Sequence, residues 1–473
     1  MFSCLQSIQG DSNSSLTTPS LPAYDTQRLA FDRNFDYKPV AIYYPATVED
    51  AVAAIKCAAA FNISIAPRSG GHSFEAYSVG GRDGSLVIDL AHFQQFSLDS
   101  ATGIATVGAG TRLGPLYARL WKEGQYLIAA GTCPAVGIGG IALGGGVGMA
   151  ARKHGATTHN IVGMTMVSAE GKILEVSASS NSDLFWALRG AGGGSFGLVT
   201  EFQIRAFKAP PVATTLRLFY PVENSREVIH AFTTWASTVS ADDLYAAIIV
   251  SNDFVLVYSS YFGTKVQALD VLEPVFRVVG EPTRKTIHEG SWYEAVAIAS
   301  HGVNVEHPDL SQYRYHRGRA LVYRKPLSVA EIEVVHKYLH VLPRPKGSTE
   351  TYITIELWGG KINRPDASPA AFDYHRGVLY SIQFGVSWDD PSGQPGVDCV
   401  ECIEWSAEFA REMQAVYSSG PRLESYQNYM DRDLPEALDA YYGPYLPRLK
   451  NIKRRIDPTN VFSFPQSIPL PAT

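Results

Sequence analysis

Three glycine-rich stretches decide the fold of this chain: Pro67-Arg68-Ser69-Gly70-Gly71-His72-Ser73, GTCPAVGIGGIALGGGVG at 131–148, and RGAGGGSFG at 189–197. The second holds eight glycines in 18 positions and the third holds five in nine. In a helix or strand each glycine costs about 0.5–1 kcal/mol relative to alanine, so the sequence predicts loops, or backbone pressed against a neighbour. Backbone amides in such loops can turn inward and cradle a phosphate. Together the three stretches predict one large phosphate-bearing cofactor.

Two other interpretations of the glycines are weaker. The run Gly137-Ile138-Gly139-Gly140-Ile141-Ala142 fits the G-x-G-x-x-A pattern of a dinucleotide-binding Rossmann fold. That fold needs a strand directly before the pattern, and the turn-like Gly131-Thr132-Cys133-Pro134 stands there instead. An ordinary NAD-type site is therefore disfavoured. Glycines required for tight packing alone are the second alternative.

Two reactive side chains lie inside these stretches. His72 follows a predicted strand and lies in a glycine turn. It is either a loop histidine that caps backbone groups or a nucleophilic ring held beside the cofactor. Cys133 is either a small buried residue or a thiolate that can attack the cofactor.

Composition excludes several classes of protein. The 473 residues carry 40 basic and 46 acidic side chains, a net charge of −6, with no basic stripe typical of nucleic-acid binding. No run of 18 apolar residues is present, so the sequence predicts no membrane span. The length predicts about two to four domains. Of the five cysteines, Cys399 and Cys402 form one C-x-x-C, where a local disulfide or two thiols is favoured over a zinc or redox site.

The pattern of apolar residues predicts alternating strands and helices. Thr47 and Asp50 are spaced as the N-cap and third residue of a helix. Helices are also predicted at 111–122, 182–188 and 434–453. In the first 207 residues the predicted strands are 40–44, 63–66, 86–90, 96–99, 104–107 and 198–205. After Pro210-Pro211, predicted strands at 244–258, 320–323, 352–357 and 381–387 suit one antiparallel sheet.

Several ordered motifs together resemble one family. They are 68–73, 131–140, 144–148, 181–193, Tyr426-Gln427-Asn428-Tyr429-Met430-Asp431, and 457–462. The chain is similar over essentially its whole length to the berberine-bridge-enzyme-like group of FAD-linked oxidases, in particular to the fungal oligosaccharide oxidases.

The resemblance implies an α+β, two-lobed fold. An FAD-binding domain of the vanillyl-alcohol-oxidase or PCMH type would span 1–207. A substrate domain at 208–419 would be an antiparallel sheet backed by helices, and 420–473 would return to the FAD domain. The resemblance also implies a Cys4–Cys57 disulfide and a monomeric, secreted glycoprotein whose signal peptide has been removed. The sequons at Asn13 and Asn62 are compatible with secretion.

The cofactor implied by the resemblance is FAD, attached twice, through the ring of His72 and the sulfur of Cys133. No metal is expected. The remaining residues expected to contact the cofactor are Arg68, Ser69, Gly70, Gly71, Ser73, Gly137, Gly140, Gly145, Val199, Tyr426 and Asn428.

Catalysis is expected to depend on Tyr429, the second tyrosine of the Tyr-x-Asn-Tyr motif, as the base. Tyr426 is the alternative base. A phenol has a pKa near 10, so a relay is needed, and Glu356 is the candidate. Relatives more usually carry an aspartate there, and a solvated carboxylate at the end of a strand is the other interpretation of Glu356.

Substrate contacts are expected from Phe74, Tyr352, Thr354 and Gln383. Thr354 shares a strand face with Glu356, as period two requires. Phe74 departs from the tyrosine that we expect in oligosaccharide oxidases two residues after the linked histidine. Aromatic residues that would stack on sugar rings are Trp292, Tyr293, Tyr313, Tyr315, Tyr352 and Trp358.

The leading functional hypothesis is oxidation of a sugar at its reducing-end C1 hydroxyl. Tyr429 would take the hydroxyl proton, the C1 hydride would pass to flavin N5, and the lactone would hydrolyse to an aldonic acid. Oxygen or another acceptor would reoxidise the flavin. An oxidase of a small alcohol or secondary metabolite is the second hypothesis. A flavin-carrying binding protein is the third, and Tyr429 argues against it.

Overall fold

A computed structural model describes residues 1–9, 13–300, 302–309, 314–365 and 369–472. The strands are β1 Ser15–Thr17, β2 Ala41–Tyr44, β3 Ile65–Arg68, β4 Leu86–Asp89, β5 Phe96–Asp99, β6 Ile104–Gly108, β7 Tyr126–Leu127, β8 Ile161–Val167, β9 Ile173–Ser177, β10 Leu198–Arg205, β11 Phe207–Lys208, β12 Ala213–Tyr220, β13 Leu244–Ser251, β14 Val255–Tyr261, β15 Arg284–Gly290, β16 Tyr315–Tyr323, β17 Ser348–Leu357 and β18 Tyr380–Trp388.

The α-helices alternate with these strands. They are α1 Phe2–Gln9, α2 Tyr24–Gln27, α3 Val48–Ala60, α4 Leu113–Lys122, α5 Ile138–Gly144, α6 Ala151–His154, α7 Ser182–Ala191, α8 Ser225–Ala236, α9 Lys265–Val279, α10 Trp292–Ala299, α11 Val329–His336, α12 Val400–Val416, α13 Ala437–Tyr442 and α14 Leu446–Ile456. No helix in the described part of the chain is both long enough and apolar enough to cross a membrane.

Two sheets form the N-terminal part of the fold. The first has the order β1-β2-β4-β3, in which β2, β4 and β3 run parallel. The second is antiparallel, with the order β5-β6-β10-β8-β9. All six strands predicted in this part are present, although the strand predicted at 63–66 is β3, two residues later. Helix α3 begins at the predicted capping box of Thr47 and Asp50, because each side chain bonds the other's backbone amide.

A seven-stranded antiparallel sheet forms the second half, with the order β15-β12-β14-β13-β17-β18-β16. The predicted strands at 320–323, 352–357 and 381–387 lie within β16, β17 and β18. The predicted 244–258 run is two strands, β13 and β14, since the chain turns between Ser251 and Val255. One face of the sheet is covered by helices α8, α9, α11 and α12, which bury residues such as Phe232 and Phe409 against Ile248 and Ile353. The helix-backed antiparallel sheet is confirmed.

Two predictions of local structure need correction. Residues 138–144 form helix α5 and not a loop, but the alternative prediction, backbone pressed against a neighbour, is confirmed. A Cβ on Gly139 would lie 2.8 Å from the carbonyl oxygen of Ala109, and one on Gly144 would lie 1.9 Å from the amide oxygen of Asn428. The helix predicted at 434–453 is two helices, α13 and α14, because Gly443 has a φ of +47° and Pro444 follows it.

The last segment of the chain returns to the first sheet. The amide of Ile65 in β3 donates to the carbonyl of Val461 at 2.8 Å. Lys453 is fully buried, pairs with Asp457 at 2.7 Å and donates to the carbonyls of Ser195 and Phe462. The domain limits at 207 and 419 stay a prediction.

Two disulfides are present. Cys4 in α1 is bonded to Cys57 in α3, as the resemblance implied. Cys399 and Cys402 are bonded to each other at the start of α12, so the local disulfide was the right alternative. Cys133 is the one free cysteine in the described part of the chain.

Candidate active site

The three glycine-rich stretches converge on one cavity of about 360 Å³, which we call the glycine cavity. Its wall includes residues of the 69–73 turn, of the start of α5, of 193–199 and of the segment 426–430. The expected cofactor residues that line it are Ser69, Gly70, Gly71, His72, Ser73, Cys133, Gly137, Gly140, Val199, Tyr426 and Asn428.

Two of these glycines allow backbone segments to touch. A Cβ on Gly137 would lie 2.2 Å from the backbone nitrogen of Gly70, and a Cβ on Gly70 would lie 2.3 Å from the nitrogen of Gly137. No side chain fits at either position. Arg112 fixes the same junction by donating to the carbonyls of Gly70, at 2.8 Å, and Ala135. The wall of the cavity is therefore made of backbone, which is the surface that can approach a phosphate-bearing cofactor closely.

His72 and Cys133 meet at one point of this wall. The Nε2 atom of His72 lies 3.7 Å from the Sγ atom of Cys133. Phe31 stacks on the imidazole with 3.7 Å between ring centroids. Burial lowers the pKa of His72 to about 4, so the ring is neutral near pH 7 and keeps a free lone pair. The structure thus brings the two expected attachment residues together.

Tyr429 lines the glycine cavity beside Phe74, whose ring lies 6.2 Å from that of His72. Its ring stacks parallel to that of Phe74, with centroids 6.0 Å apart, and meets the ring of Tyr426 edge-on at 5.2 Å. The hydroxyl oxygen of Tyr426 already accepts hydrogen bonds from the amide of Gly146, at 2.7 Å, and from Asn428, at 2.8 Å. Tyr426 therefore has no free lone pair for a substrate proton, and the geometry favours Tyr429 of the two tyrosines.

A second cavity of about 200 Å³, which we call the sheet cavity, adjoins Tyr429. Its floor is the face of the seven-stranded sheet opposite helices α8, α9, α11 and α12. Successive strands place their side chains there in register: Ala247 pairs with Glu356, Thr354 with Gln383, and Glu356 with Ser381. The lining residues are Thr132, Tyr245, Ala247, Ile249, Tyr258, Ala299, Thr354, Glu356, Ser381, Gln383 and Tyr429.

Glu356 is buried in this floor. It is 9% exposed, and its Oε1 atom accepts a hydrogen bond from the hydroxyl of Tyr245 at 3.0 Å. The interpretation of Glu356 as a solvated carboxylate was therefore wrong. Burial raises the pKa of Glu356, and the bond from Tyr245 opposes that rise.

Three of the expected site residues do not line either cavity. Arg68 is directed away from the glycine cavity, where it pairs with Asp89 and donates to the carbonyl of Gln27. Gly145, with a φ of +142°, is a packing position, since a Cβ there would meet Phe372 at 2.6 Å. The hydroxyl of Tyr352 lies 2.6 Å from His316 Nε2, outside the cavity lining.

The proposed sugar-stacking role of the aromatic residues was largely wrong. Trp292, Tyr315 and Trp358 are at most 2% exposed and belong to the core. Tyr293 stacks on Trp121, with centroids 5.9 Å apart, rather than facing a cavity. Tyr313 lies outside the described residues.

Tyr245 and Tyr258 contribute phenols to the sheet cavity, and neither was among the predicted site residues. The sequence contains part of this information, because alternate residues of a strand lie on one face, which puts Tyr245 and Ala247 together on β13. That β13 lies beside β17 follows only from the order of strands in the sheet, which a single sequence does not contain.

Comparison with known proteins agrees with this arrangement. Residues 39–177 match the FAD binding domain family model, and residues 425–469 match the berberine and berberine-like model. A xylooligosaccharide oxidase of Thermothelomyces thermophilus is 32% identical over 96% of this chain and 92% of its own length. The chain belongs to the berberine bridge enzyme-like family of FAD-linked oxidoreductases.

Two solved structures of relatives have the same fold as this berberine bridge enzyme-like protein. A chitooligosaccharide oxidase superposes with a TM-score of 0.90 and 27% identity, covering 100% of this chain and 99% of that one. The glucooligosaccharide oxidase from Acremonium strictum superposes with a TM-score of 0.88 and 28% identity, covering 99% and 100%. That relative carries a 6-S-cysteinyl, 8α-N1-histidyl FAD.

The residues of this flavoprotein fit the FAD that its family binds. The glycine cavity offers backbone without side chains on one wall and a neutral imidazole beside a thiol on another. The enzyme is an FAD-dependent oxidoreductase, and the expected two-lobed fold is confirmed.

Proposed function

We propose that this enzyme oxidises the C1 hydroxyl at the reducing end of a mono- or oligosaccharide to a lactone, which water opens to the aldonic acid. Oxygen is the proposed electron acceptor and hydrogen peroxide the second product. One observation carries the proposal: Tyr429 lines both cavities, so a phenol lies where the glycine cavity meets a chamber of hydroxyl, amide and carboxyl groups. Polar groups of this kind suit a polyhydroxylated substrate.

In this proposal the cofactor is attached through both His72 and Cys133. The neutral His72 ring and the free Cys133 thiol are the two nucleophiles at that wall. The glycine backbone and Ser69, Ser73, Val199 and Asn428 would line the rest of its site. When bound, FAD supplies the hydride acceptor.

The proton of the substrate hydroxyl is assigned to Tyr429. Burial raises the pKa of Tyr429 well above its ordinary value, and the charge of Glu356 raises it further. A phenol in this state can accept a proton only if its own proton leaves at the same time. Glu356 lines the same cavity and is the acceptor that we assign to that second proton.

Substrate contacts are assigned to Gln383 and Thr354. Both line the sheet cavity beside Glu356, and the amide of Gln383 can donate and accept hydrogen bonds with neighbouring sugar hydroxyls. Phe74 supplies an apolar contact, because its ring covers that of Tyr429.

A small alcohol or secondary metabolite is the second candidate substrate. The sheet cavity has aliphatic walls at Ala247, Ile249 and Ala299 and a volume of about 200 Å³. That volume is below the range of about 300–1,000 Å³ that is usual for pockets of drug-sized ligands. A compact substrate would fit it, and Phe74 adds a further apolar surface.

We propose that the protein is extracellular and monomeric. Two disulfides favour an oxidising, extracellular compartment.

An anaerobic panel of sugars tests the proposed function. Glucose, cellobiose, xylobiose and chitobiose are added separately to the yellow protein, and the long-wavelength flavin band is followed. We expect at least one of them to bleach the band, and readmitted air to restore it with formation of peroxide. If none bleaches protein that dithionite still reduces, the sugar assignment fails and the small-alcohol assignment takes its place.

A further inference from the structure

A buried carboxyl group normally has a cationic partner, and Glu356 has none within the described part of the chain. Burial and hydrogen bonds set the pKa of Glu356, and no lysine, arginine or histidine of the described residues is among the groups that act on it. Tyr245, which is itself only 8% exposed, donates to Glu356 at 3.0 Å and opposes the rise in its pKa more than any other donor. Hydrogen bonds from Trp358 and Ser381 oppose the same rise to a smaller extent. A carboxylate without a cation is costly to bury, so its hydrogen-bond donors, Tyr245 first among them, have a large influence on whether it is ionised.

The sheet register explains how the two residues meet. Ala247 in β13 lies directly opposite Glu356 in β17. Tyr245 is two residues from Ala247 and therefore on the same face, at the diagonal position that a long aromatic side chain can reach. The Tyr245–Glu356 bond is thus set by two adjacent central strands rather than by a loop.

We propose that Tyr245 is a positioning residue for Glu356: its hydroxyl holds one carboxylate oxygen, which keeps Glu356 ionised and ready to receive the proton that leaves Tyr429. The inference rests on the proposed function of Glu356 as relay. In the step, the substrate O–H proton passes to the oxygen of Tyr429 as the phenol's own proton passes to Glu356. One proton is gained by Glu356 and one is lost by the substrate, so the charges balance.

Titratable groups face Glu356 from several elements. They are Tyr245 on β13, Tyr258 on β14, and Tyr426 and Tyr429 on the C-terminal segment, with Cys133 beyond Tyr429 on the loop before α5. Each of these groups is neutral when protonated, so none of them supplies a positive charge to Glu356. Burial raises the pKa of Tyr245 well above its ordinary value, so it remains a hydrogen-bond donor at every pH of an assay.

The replacement Tyr245→Phe tests this role by removing only the donor. The pKa of Glu356 then rises, because its charged form loses the strongest of the hydrogen bonds that oppose the effect of burial. Since the ionised form is the active one, the acid limb of the kcat/KM profile moves to higher pH, by about one to two units. Activity falls most at low pH and recovers as the pH is raised, while KM changes little.

Tyr258→Phe is the matched control. Tyr258 lines the same cavity, and its ring lies 5.9 Å from that of Tyr245, but it makes no bond to Glu356. Its removal affects substrate binding and leaves the position of the acid limb unchanged. If both variants move the limb equally, or if Tyr245→Phe raises KM alone, Tyr245 is a binding residue and the inference is wrong.

A double-mutant cycle that combines Tyr245→Phe with Glu356→Gln shows whether Tyr245 acts through Glu356 or only through the stability of the fold. If Tyr245 acts through Glu356, the Tyr245→Phe change costs nothing further in the Glu356→Gln background. A substrate-free readout is the infrared C=O stretch of protonated Glu356, assigned by its loss in Glu356→Gln. It should appear at higher pH in Tyr245→Phe than in the wild type, and an unchanged midpoint would refute the inference. Failure of the sugar panel with a shifted midpoint would instead refute the proposed function alone.

Discussion

Replacing Tyr429 with phenylalanine should slow reduction of the enzyme by substrate by a factor of about 10²–10⁴ while the protein stays yellow. The hydroxyl is the only group removed, and the ring keeps its contacts with Phe74 and Tyr426. A positioned acid–base group contributes about 10²–10⁴ in rate, so we expect a loss of this size in the anaerobic bleaching rate. Stopped-flow absorbance of the wild type and the variant gives the comparison.

Tyr426→Phe is the control for this prediction. It removes a phenol from the same cavity whose oxygen is occupied by Gly146 and Asn428. We expect its bleaching rate to fall less than that of Tyr429→Phe, through loosened packing of the glycine cavity. A Tyr429→Phe protein that bleaches at the wild-type rate contradicts the base assignment, and a larger loss in Tyr426→Phe transfers the role to that residue.

The second large effect concerns the attachment of the cofactor. His72→Ala and Cys133→Ala should each still carry flavin through a denaturing gel, because the other link remains. The double variant should carry none. The reason is geometric: the two nucleophilic atoms lie 3.7 Å apart at one wall, so one cofactor can reach both. In-gel flavin fluorescence after acid treatment measures the outcome.

Cys399→Ala with Cys402→Ala is a suitable control for this experiment. These residues form a disulfide at the start of α12, away from the lining of the glycine cavity. Their loss should not release flavin from the denatured chain. If a single variant at His72 or Cys133 loses all flavin, there is one link rather than two.

Local patterns predicted most of the fold correctly. The capping box at Thr47 and strands such as β10 depend on neighbouring residues alone, and both were found as predicted. Helix α5 was missed because each of its glycines is costly in a helix, although backbone pressed against a neighbour was predicted correctly. Gly139 and Gly144 lie against Ala109 and Asn428, which are distant in the chain.

The site residues that belong to sequence motifs were predicted, and some of those outside the motifs were not. His72, Cys133 and Tyr429 belong to the motifs that carried the family resemblance, and the structure brings them to one cavity. Arg68 belongs to the same motif, yet its side chain faces Asp89. A motif does not say which way each member points. Tyr245 belongs to no motif, and its contact with Glu356 depends on the order of strands in the sheet.

The most direct test of the central claim is an isotope effect on the bond that the proposal breaks. A sugar that bleaches the flavin is prepared with deuterium at C1 and, separately, at C2, and the anaerobic bleaching rates are compared with those of the unlabelled sugar. The account predicts that deuterium at C1 slows bleaching and that deuterium at C2 does not. Equal rates for the C1-labelled and unlabelled sugars, or slowing by the C2 label alone, would contradict oxidation at C1.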